Sequence, residues 1–292
     1  MAGAIRLPVM RLVTYDAGDG GRAGMLVDGR VVDAWAALGE PHRGSLRELI
    51  EHGRIDDLHS RIGDTGAPSH PLSAVRLLPP IPDPEKIICI GLNYAKHAEE
   101  GRQDLPTTPI MFGKWRNALT ADGATVTLPE ASKKVDYEAE VAFVIGRRAH
   151  NVAEADALDF VAGYTLFNDL SARDLQFATP QWMAGKVFDG SAPCGPALVT
   201  PDEAGPHDGI EIELTLNGEK MQGDSTANFI FGVPRLISYL SGLMTLEPGD
   251  IVATGTPDGV GGAREPRVWL GDGDELVVSS PTLGRLRTTV AR

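Results

Sequence analysis

Three carboxylate residues occupy alternating positions in a strand-like segment near the middle of the chain. The segment is KVDYEAEVAFVIG, residues 134–146, and the three are Asp136, Glu138 and Glu140. Because a β-strand repeats every two residues, their side chains are expected on one face. Ala142 continues that face as an apolar residue, which indicates a partly covered face rather than a solvated edge. Covered carboxylates repel one another and must be protonated or bind a cation, so the segment is a candidate metal site.

A further carboxylate follows in GYTLFNDLSARDLQ, residues 163–176, where an apolar strand ends at Asn168 and Asp169. A carboxylate at a strand end can provide a third oxygen ligand beside Glu138 and Glu140. Three carboxylates without a histidine or thiol partner suit a hard cation such as Mg²⁺ or Mn²⁺ rather than zinc. The alternative is that Asp169 only caps the turn that follows, which is a common role for aspartate.

A candidate general base lies in GLNYAKHAEEG, residues 91–101, directly after the strand-like KIICI. His97 and Glu100 would share one face of a short helix, with Asn93 as its expected N-cap. A carboxylate beside an imidazole can orient the ring and raise its basicity. The alternative is a solvated helix face. The chain has neither HExxH nor GxSxG, which removes the zinc-protease and serine-hydrolase hypotheses.

Two lysines stand in apolar surroundings, Lys114 in PIMFGKW and Lys186 in QWMAGKVFDG. Lysine is uncommon there unless it is paired, and either residue could neutralise an anionic substrate or a developing enolate. The alternative is a purely structural ion pair. The loop in GDIVATGTPDGVGG, residues 249–262, offers backbone N–H groups to an anion, but it lacks the GK[ST] of a phosphate loop.

The elements expected to position these residues form a β-rich α+β protein. Strand patterns dominate residues 85–292, which we interpret as one domain whose clearest helix lies in ANFIFGVPRLISYLSGL. Prolines concentrate in residues 79–84, a predicted stiff connector. Residues 1–78 are predicted to form a small unit of three short strands followed by helical spacing over SLRELIEHGRIDDLHSRI.

Composition and charge restrict the class of protein. The chain has 292 residues, of which 42% are hydrophobic and 23% charged, as in ordinary globular proteins. We find no apolar run long enough to span a bilayer and no signal-peptide pattern at the N-terminus. With only two cysteines, Cys89 and Cys194, no disulfide framework is expected and a cytoplasmic location is the simplest assumption. The net charge of −13 argues against nucleic acid or an anionic membrane as partner, but not against a small anionic substrate.

Taken in order along the chain, these motifs resemble the fumarylacetoacetate hydrolase family over residues 85–292. The matching segments are GLNYAKHAEE, PIMFGK, DYEAEVAFVIG, GYTLFNDLSARDLQ, WMAGKVFDGSAPCGP, LNGEKMQ and PGDIVATGTPDGVG. The N-terminal unit is similar to the small extra α/β domain of longer members. The resemblance implies a roll of mixed β-sheet, a homodimer, and Mg²⁺ or Mn²⁺ bound by Glu138, Glu140 and Asp169.

The resemblance also implies roles for other residues. His97 and Glu100 match the family's lid dyad, and Lys186 matches its active-site lysine. Substrate contacts are implied for Lys114, Tyr164, Arg173, Gln176, Gly255 and Thr256. Asp136 matches none of the metal ligands and receives no metal role. The segment LQFATPQ, residues 175–181, is expected to shape the pocket.

The leading functional hypothesis is a Mg²⁺- or Mn²⁺-dependent hydrolase that cleaves a C–C bond in an acylpyruvate-like 2,4-dioxo acid through a metal-stabilised enolate. The same intermediate serves isomerisation of hydroxymuconate-type diacids and decarboxylation of oxaloacetate, which are the alternatives. The full His97–Glu100 pair favours hydrolysis, because a decarboxylase needs no activated water. The pair also speaks against a third hypothesis, a ligand-binding protein without turnover.

Overall fold

The computed structural model describes residues 10–18, 20–61 and 66–292 of the chain. Residues 1–9, part of the segment inspected for a signal peptide, lie outside that range. The strands are β1 (Arg11–Asp16), β2 (Gly21–Val27), β3 (Arg30–Asp33), β4 (Ser69–Pro71), β5 (Arg76–Leu77), β6 (Ile87–Gly91), β7 (Ile110–Lys114), β8 (Leu119–Thr120), β9 (Ala124–Thr127), β10 (Val135–Asp136), β11 (Ala139–Ile145), β12 (Val161–Asn168), β13 (Ser171–Ala172), β14 (Ala192–Val199), β15 (Glu211–Leu216), β16 (Glu219–Ser225), β17 (Ile251–Ala253), β18 (Glu275–Ser280) and β19 (Gly284–Ala291). The α-helices are α1 (Ala34–Ala37), α2 (Leu46–Glu51), α3 (Ile55–His59), α4 (Ala95–Glu100), α5 (Arg173–Gln176), α6 (Pro201–Ala204) and α7 (Val233–Leu243).

A mixed sheet of twelve strands forms the centre of the molecule. Its order is β4-β3-β2-β1-β14-β12-β11-β17-β6-β7, with β5 paired to β1 and β8 paired to β14. Strand β11 lies between β12 and β17, and all seven of its residues are buried. A second sheet has the order β16-β15-β18-β19-β9. The β-rich, mixed architecture confirms the predicted fold class.

The two faces of β11 belong to different hydrophobic cores. Val141 and Phe143 pack in a core that also contains Leu214 and Val278 of the second sheet. The alternate face, which includes Ala142, packs in a core shared with the N-terminal unit. A strand buried on both faces has no solvated side, so the site at its end is supported by packing from two directions.

The N-terminal unit continues the central sheet. Strand β1 pairs with β14 through Arg11 opposite Val199 and Leu12 opposite Leu198. Trp35 and Leu49 of the unit are fully buried in the core shared with β11. The central sheet and one hydrophobic core include residues on both sides of the predicted connector, residues 79–84. The domain boundaries at residues 78 and 85 therefore stay a prediction.

Helices depart from the sequence patterns at their ends. The predicted helical stretch after residue 45 forms two short helices, α2 and α3, separated at Gly53, which has a φ of +63°. Helix α7 begins only at Val233, with Pro234 in its first turn. Among the helices that the structure describes, none has the length and apolar character needed to cross a membrane.

Candidate active site

The three predicted metal ligands meet where β11 begins and β12 ends. In the antiparallel ladder Ala139 lies opposite Asn168 and Glu140 opposite Phe167, so Glu138 meets Asp169 at the strand ends, where Asp169 N donates to the Glu138 carbonyl oxygen at 2.8 Å. All three are buried, and one carboxylate oxygen from each lies within 4.8 Å of the others. A second group among the described residues meets the same spacing but is partly exposed; it comprises His59, Asp202 and Glu203.

Two buried lysines hold the carboxylates in place. The Lys186 ammonium donates to Glu138 Oε2 and to Asp169 Oδ2, both at 2.7 Å. The Lys114 ammonium donates to Asp169 Oδ1, also at 2.7 Å, and both of these side chains are fully buried. The lysines therefore compensate part of the negative charge, as the sequence suggested for lysines in apolar surroundings.

The electrostatic environments of the two glutamates differ. Burial raises the pKa of Glu140, and the neighbouring charges of Asp169 and Glu138 raise it further. Burial alone would also raise the pKa of Glu138, but the charges of Lys186 and Arg173 outweigh it and hold that pKa below its usual value. Glu140 is thus the ligand that most lacks a positive charge, and a divalent cation would supply one.

The donor set fits a hard divalent cation. Each carboxylate has about four lone-pair positions. Asp169 uses two of them on lysines, and Glu138 uses one on Lys186 and one on Arg173. Glu140 Oε2 accepts from the backbone N–H of Gly255 at 3.0 Å. Oxygen atoms remain for coordination in all three residues, and an all-oxygen set suits Mg²⁺ or Mn²⁺.

Asp136, which the sequence left without a role, anchors two parts of the site. The expected single strand over residues 134–146 is broken after Asp136, and β10 pairs with β13 instead of continuing into β11. Its carboxylate accepts from Arg173 Nε at 2.9 Å, from Gly261 N at 2.8 Å and from Gly262 N at 2.9 Å. Asp136 thereby fixes an arginine and a glycine-rich loop to the segment that leads from β10 into Glu138 and β11.

The predicted general base is assembled on α4. His97 Nδ1 lies 2.8 Å from Glu100 Oε1, and Glu100 Oε2 accepts from the backbone N–H of Gly259 at 2.9 Å. The expectation that Asn93 caps this helix is wrong, because Tyr94 is the N-cap residue. Asn93 instead donates to the Thr254 and Phe231 carbonyl oxygens, at 2.8 and 3.1 Å, since it lies fully buried between two loops.

A cavity of about 630 Å³ opens over the carboxylates, a size typical of small-molecule sites. Eight of the residues named from the sequence line it: His97, Glu100, Glu138, Glu140, Arg173, Gln176, Lys186 and Thr256. Phe177, from the segment expected to shape the pocket, also lines it. Arg173 Nη2 is buried and has no hydrogen-bond partner among the described residues, which leaves a charged donor at the cavity wall.

Three predicted substrate contacts lie elsewhere. Lys114 is buried against Asp169, and Gly255 contributes its backbone N–H to Glu140. Tyr164 is buried in the main core, four residues before the end of β12, which places it about 13 Å along the strand from Asn168. The structure does not bring its side chain to the cavity.

Several cavity residues escaped the sequence analysis, among them Trp182, Arg264, Arg267 and Trp269. Trp182 stands in the QWMAGK motif beside Lys186, so its position was a usable signal. The other three follow the glycine-rich loop in an irregular segment, and no periodic pattern there indicates a site.

Known proteins are similar to this chain over most of its length. The family model described as fumarylacetoacetate (FAA) hydrolase C-terminal matches residues 86–291. The mitochondrial oxaloacetate tautomerase fahd2 of Xenopus laevis is 39% identical over 288 residues, covering 96% of this chain and 90% of the relative. The solved fumarylacetoacetate hydrolase of the psychrophile Exiguobacterium antarcticum is 34% identical with a TM-score of 0.85, covering 97% of this chain and 100% of that one. The maleylpyruvate hydrolase of Sphingobium sp. SYK-6, solved with manganese(II) and pyruvate, is 29% identical with a TM-score of 0.80, covering 97% and 99%.

Proposed function

The chain belongs to the fumarylacetoacetate hydrolase family, and we propose that it is a Mg²⁺- or Mn²⁺-dependent enzyme that interconverts the keto and enol forms of a 2-oxo acid. The observation that carries this proposal is the buried Glu138–Glu140–Asp169 cluster at the base of a cavity that also contains the His97–Glu100 pair. The name of the Xenopus relative supports the reaction, and the manganese and pyruvate in the Sphingobium structure support the ligand class.

Glu138, Glu140 and Asp169 would bind the cation, which would act as a Lewis acid on the keto group and stabilise the enolate form. Lys186 donates two of its three N–H bonds to Glu138 and Asp169, so its third can reach a substrate oxygen. Arg173 lines the cavity, and its Nη2, which has no hydrogen-bond partner among the described residues, would bind the substrate carboxylate. The Lys186 ammonium and the Arg173 guanidinium are held in place by the carboxylates, which orients their remaining N–H donors before the substrate binds.

The His97–Glu100 pair would move the proton. Glu100 accepts from His97 Nδ1, which leaves the lone pair on Nε2 as the base. Nε2 would take a proton from the carbon next to the keto group, and the imidazolium so formed would give a proton to the enolate oxygen to complete the enol; the reverse reaction would move the same protons back. The second oxygen of Glu100 is held by Gly259, so the pair has a fixed orientation towards the cavity.

Hydrolysis of a C–C bond in a 2,4-dioxo acid is the second candidate. The same hydrogen-bonded pair favours it, because a base with a free Nε2 can also activate a water molecule. The hydrolase hypothesis from the sequence therefore stays open beside the isomerase, and the two differ in their products.

The test is a product assay in Mg²⁺ or Mn²⁺ with three substrates, oxaloacetate, acetylpyruvate and fumarylpyruvate. Tautomerisation is followed by the absorbance of enol-oxaloacetate, and hydrolysis by pyruvate release from acetylpyruvate and fumarylpyruvate. We expect metal-dependent acceleration of the enol–keto step with no loss of CO₂. Pyruvate release from the dioxo acids would establish the second candidate, and no acceleration of either reaction with either metal would refute both.

A further inference from the structure

Among the described residues, basic side chains that form no ion pair with the buried carboxylates also line the cavity, and we call the part of the cavity that they line the mouth. We propose that they form a second anion subsite that binds the distal carboxylate of a dicarboxylic 2-oxo acid. Its members are Arg102, Lys134, Arg264 and Arg267. The inference rests on the proposed function, because that function places the 2-oxo end of the substrate at Glu138, Glu140 and Asp169.

The first support is the absence of counter-ions. Arg173 and Lys186, the other cations of the cavity, are bound to Asp136, Glu138 and Asp169. By contrast, no described carboxylate lies within ion-pair distance of any of the four mouth residues. In a chain of net charge −13, four unpaired cations around one opening produce a local positive field that attracts anions.

The second support is that the protein holds the Arg264 guanidinium in a fixed position. Its Nε donates to the Gly259 carbonyl oxygen at 3.1 Å, and its Nη2 donates to the Met221 carbonyl oxygen at 2.6 Å. The side chain is half-buried and lines the cavity. Fixing a guanidinium before binding lowers the entropy cost of recognising a carboxylate.

The third support is the connection between the two ends of the cavity. Asp136 holds both Arg173, beside the metal ligands, and the amides of Gly261 and Gly262, which begin the segment that carries Arg264 and Arg267. One buried carboxylate therefore sets the position of the mouth relative to the metal site. A fixed separation is what discrimination by substrate length requires.

Two carboxylates also line the mouth. Asp174 is held by the Ser132 hydroxyl and the Lys133 backbone N–H, and those hydrogen bonds hold its pKa below the usual value. Glu265 is exposed and faces solvent between the two arginines in sequence. Four basic residues against these two acidic residues leave the mouth with a net positive charge. The Asp174 carboxylate is also hydrogen-bonded to Ser132 and Lys133 and forms no ion pair with the basic residues.

The experiment compares 2-oxo acids that differ only in the distal group. Calorimetric titrations in Mg²⁺ would use 2-oxoglutarate against 2-oxopentanoate, and 2-oxoadipate against 2-oxohexanoate. Oxalate, which has no distal group, reports on the metal site alone. We expect the diacid of at least one pair to bind about tenfold more tightly, as for a charge-assisted hydrogen bond.

Arg267→Gln is the cleanest variant, because this side chain is exposed and makes no hydrogen bond with a described residue. It should remove most of the diacid preference and leave the binding of oxalate and of the monoacids unchanged. Arg285→Gln is the matched control, since Arg285 is an exposed arginine of β19 outside the cavity. If the wild type binds diacid and monoacid with equal affinity, the proposed subsite is refuted. If it still binds oxalate in that case, the proposed function stands. An equal loss for both ligands in Arg267→Gln also overturns the subsite, and no binding of oxalate overturns the proposed function together with it.

Discussion

Replacement of Asp136 by asparagine should destabilise the protein although the two side chains have nearly the same shape. In the native structure Oδ2 accepts from Arg173 Nε and from Gly262 N, while Oδ1 accepts from Gly261 N. An asparagine can keep an acceptor on only one side. Its NH₂ group would then face N–H donors that have no other partner in this buried position.

The expected loss follows from these contacts. A buried charge pair broken on one side costs about 3–5 kcal/mol, and asparagine retains one acceptor, so we expect about 3 kcal/mol. For a chain of 292 residues this corresponds to a fall of about 5 °C in the melting temperature. The segment that begins with Gly261 should also become more mobile, because the Asp136 carboxylate accepts hydrogen bonds from its first two backbone amides.

Thermal unfolding followed by circular dichroism in EDTA would measure the effect without any contribution from bound metal. Asp208→Asn serves as the control, since Asp208 is exposed and the change in net charge is the same. A melting temperature for Asp136→Asn within about 1 °C of that control would refute the anchoring role and, with it, the fixed geometry between metal site and mouth.

Three further changes test the site. Glu140→Gln should weaken Mg²⁺ binding by about 100-fold or more, yet leave the metal-free protein at least as stable, because it removes a negative charge that lies close to two others. Unfolding in EDTA and in Mg²⁺ measures both effects. A metal-free variant less stable than the wild type would contradict the repulsion between these carboxylates. His97→Ala should lower turnover by about 10²- to 10⁴-fold with unchanged Mg²⁺ affinity, and equal turnover would remove the base assignment. Gly261→Ala should destabilise by about 2 kcal/mol, since its Cβ would lie 2.2 Å from the Val268 carbonyl oxygen. Gly242→Ala in α7, where a Cβ meets nothing within 4 Å, should be neutral or stabilising in the same denaturation assay.

Local periodicity was enough to predict that the three carboxylates Glu138, Glu140 and Asp169 come together. Glu138 and Glu140 stand two residues apart at the start of an apolar strand, and Asp169 stands at the end of another. An antiparallel pairing brings these ends together without further information. The His97–Glu100 pair was equally local, because i and i+3 positions meet on any helix.

Contacts between distant segments could not be predicted in the same way. Asp136 is separated from Gly261 by 125 positions, and nothing in the local pattern points to that partner. The break between β10 and β11 is likewise caused by pairing with β13 rather than by a proline or glycine in the segment. The homodimer implied by the resemblance stays a prediction, since it concerns contacts beyond one chain.

The buried charges explain why an acidic protein concentrates carboxylates at one point. Four buried carboxylates of the cluster face three buried cations; the acids are Asp136, Glu138, Glu140 and Asp169, and the cations are Lys114, Arg173 and Lys186. The fully ionised cluster therefore carries one excess negative charge, which matches the raised pKa of Glu140. A divalent cation would change the excess to one positive charge, and the carboxylate of a 2-oxo acid would then neutralise it. With the proposed metal and anion both bound the charges would balance, so we expect each to strengthen the binding of the other.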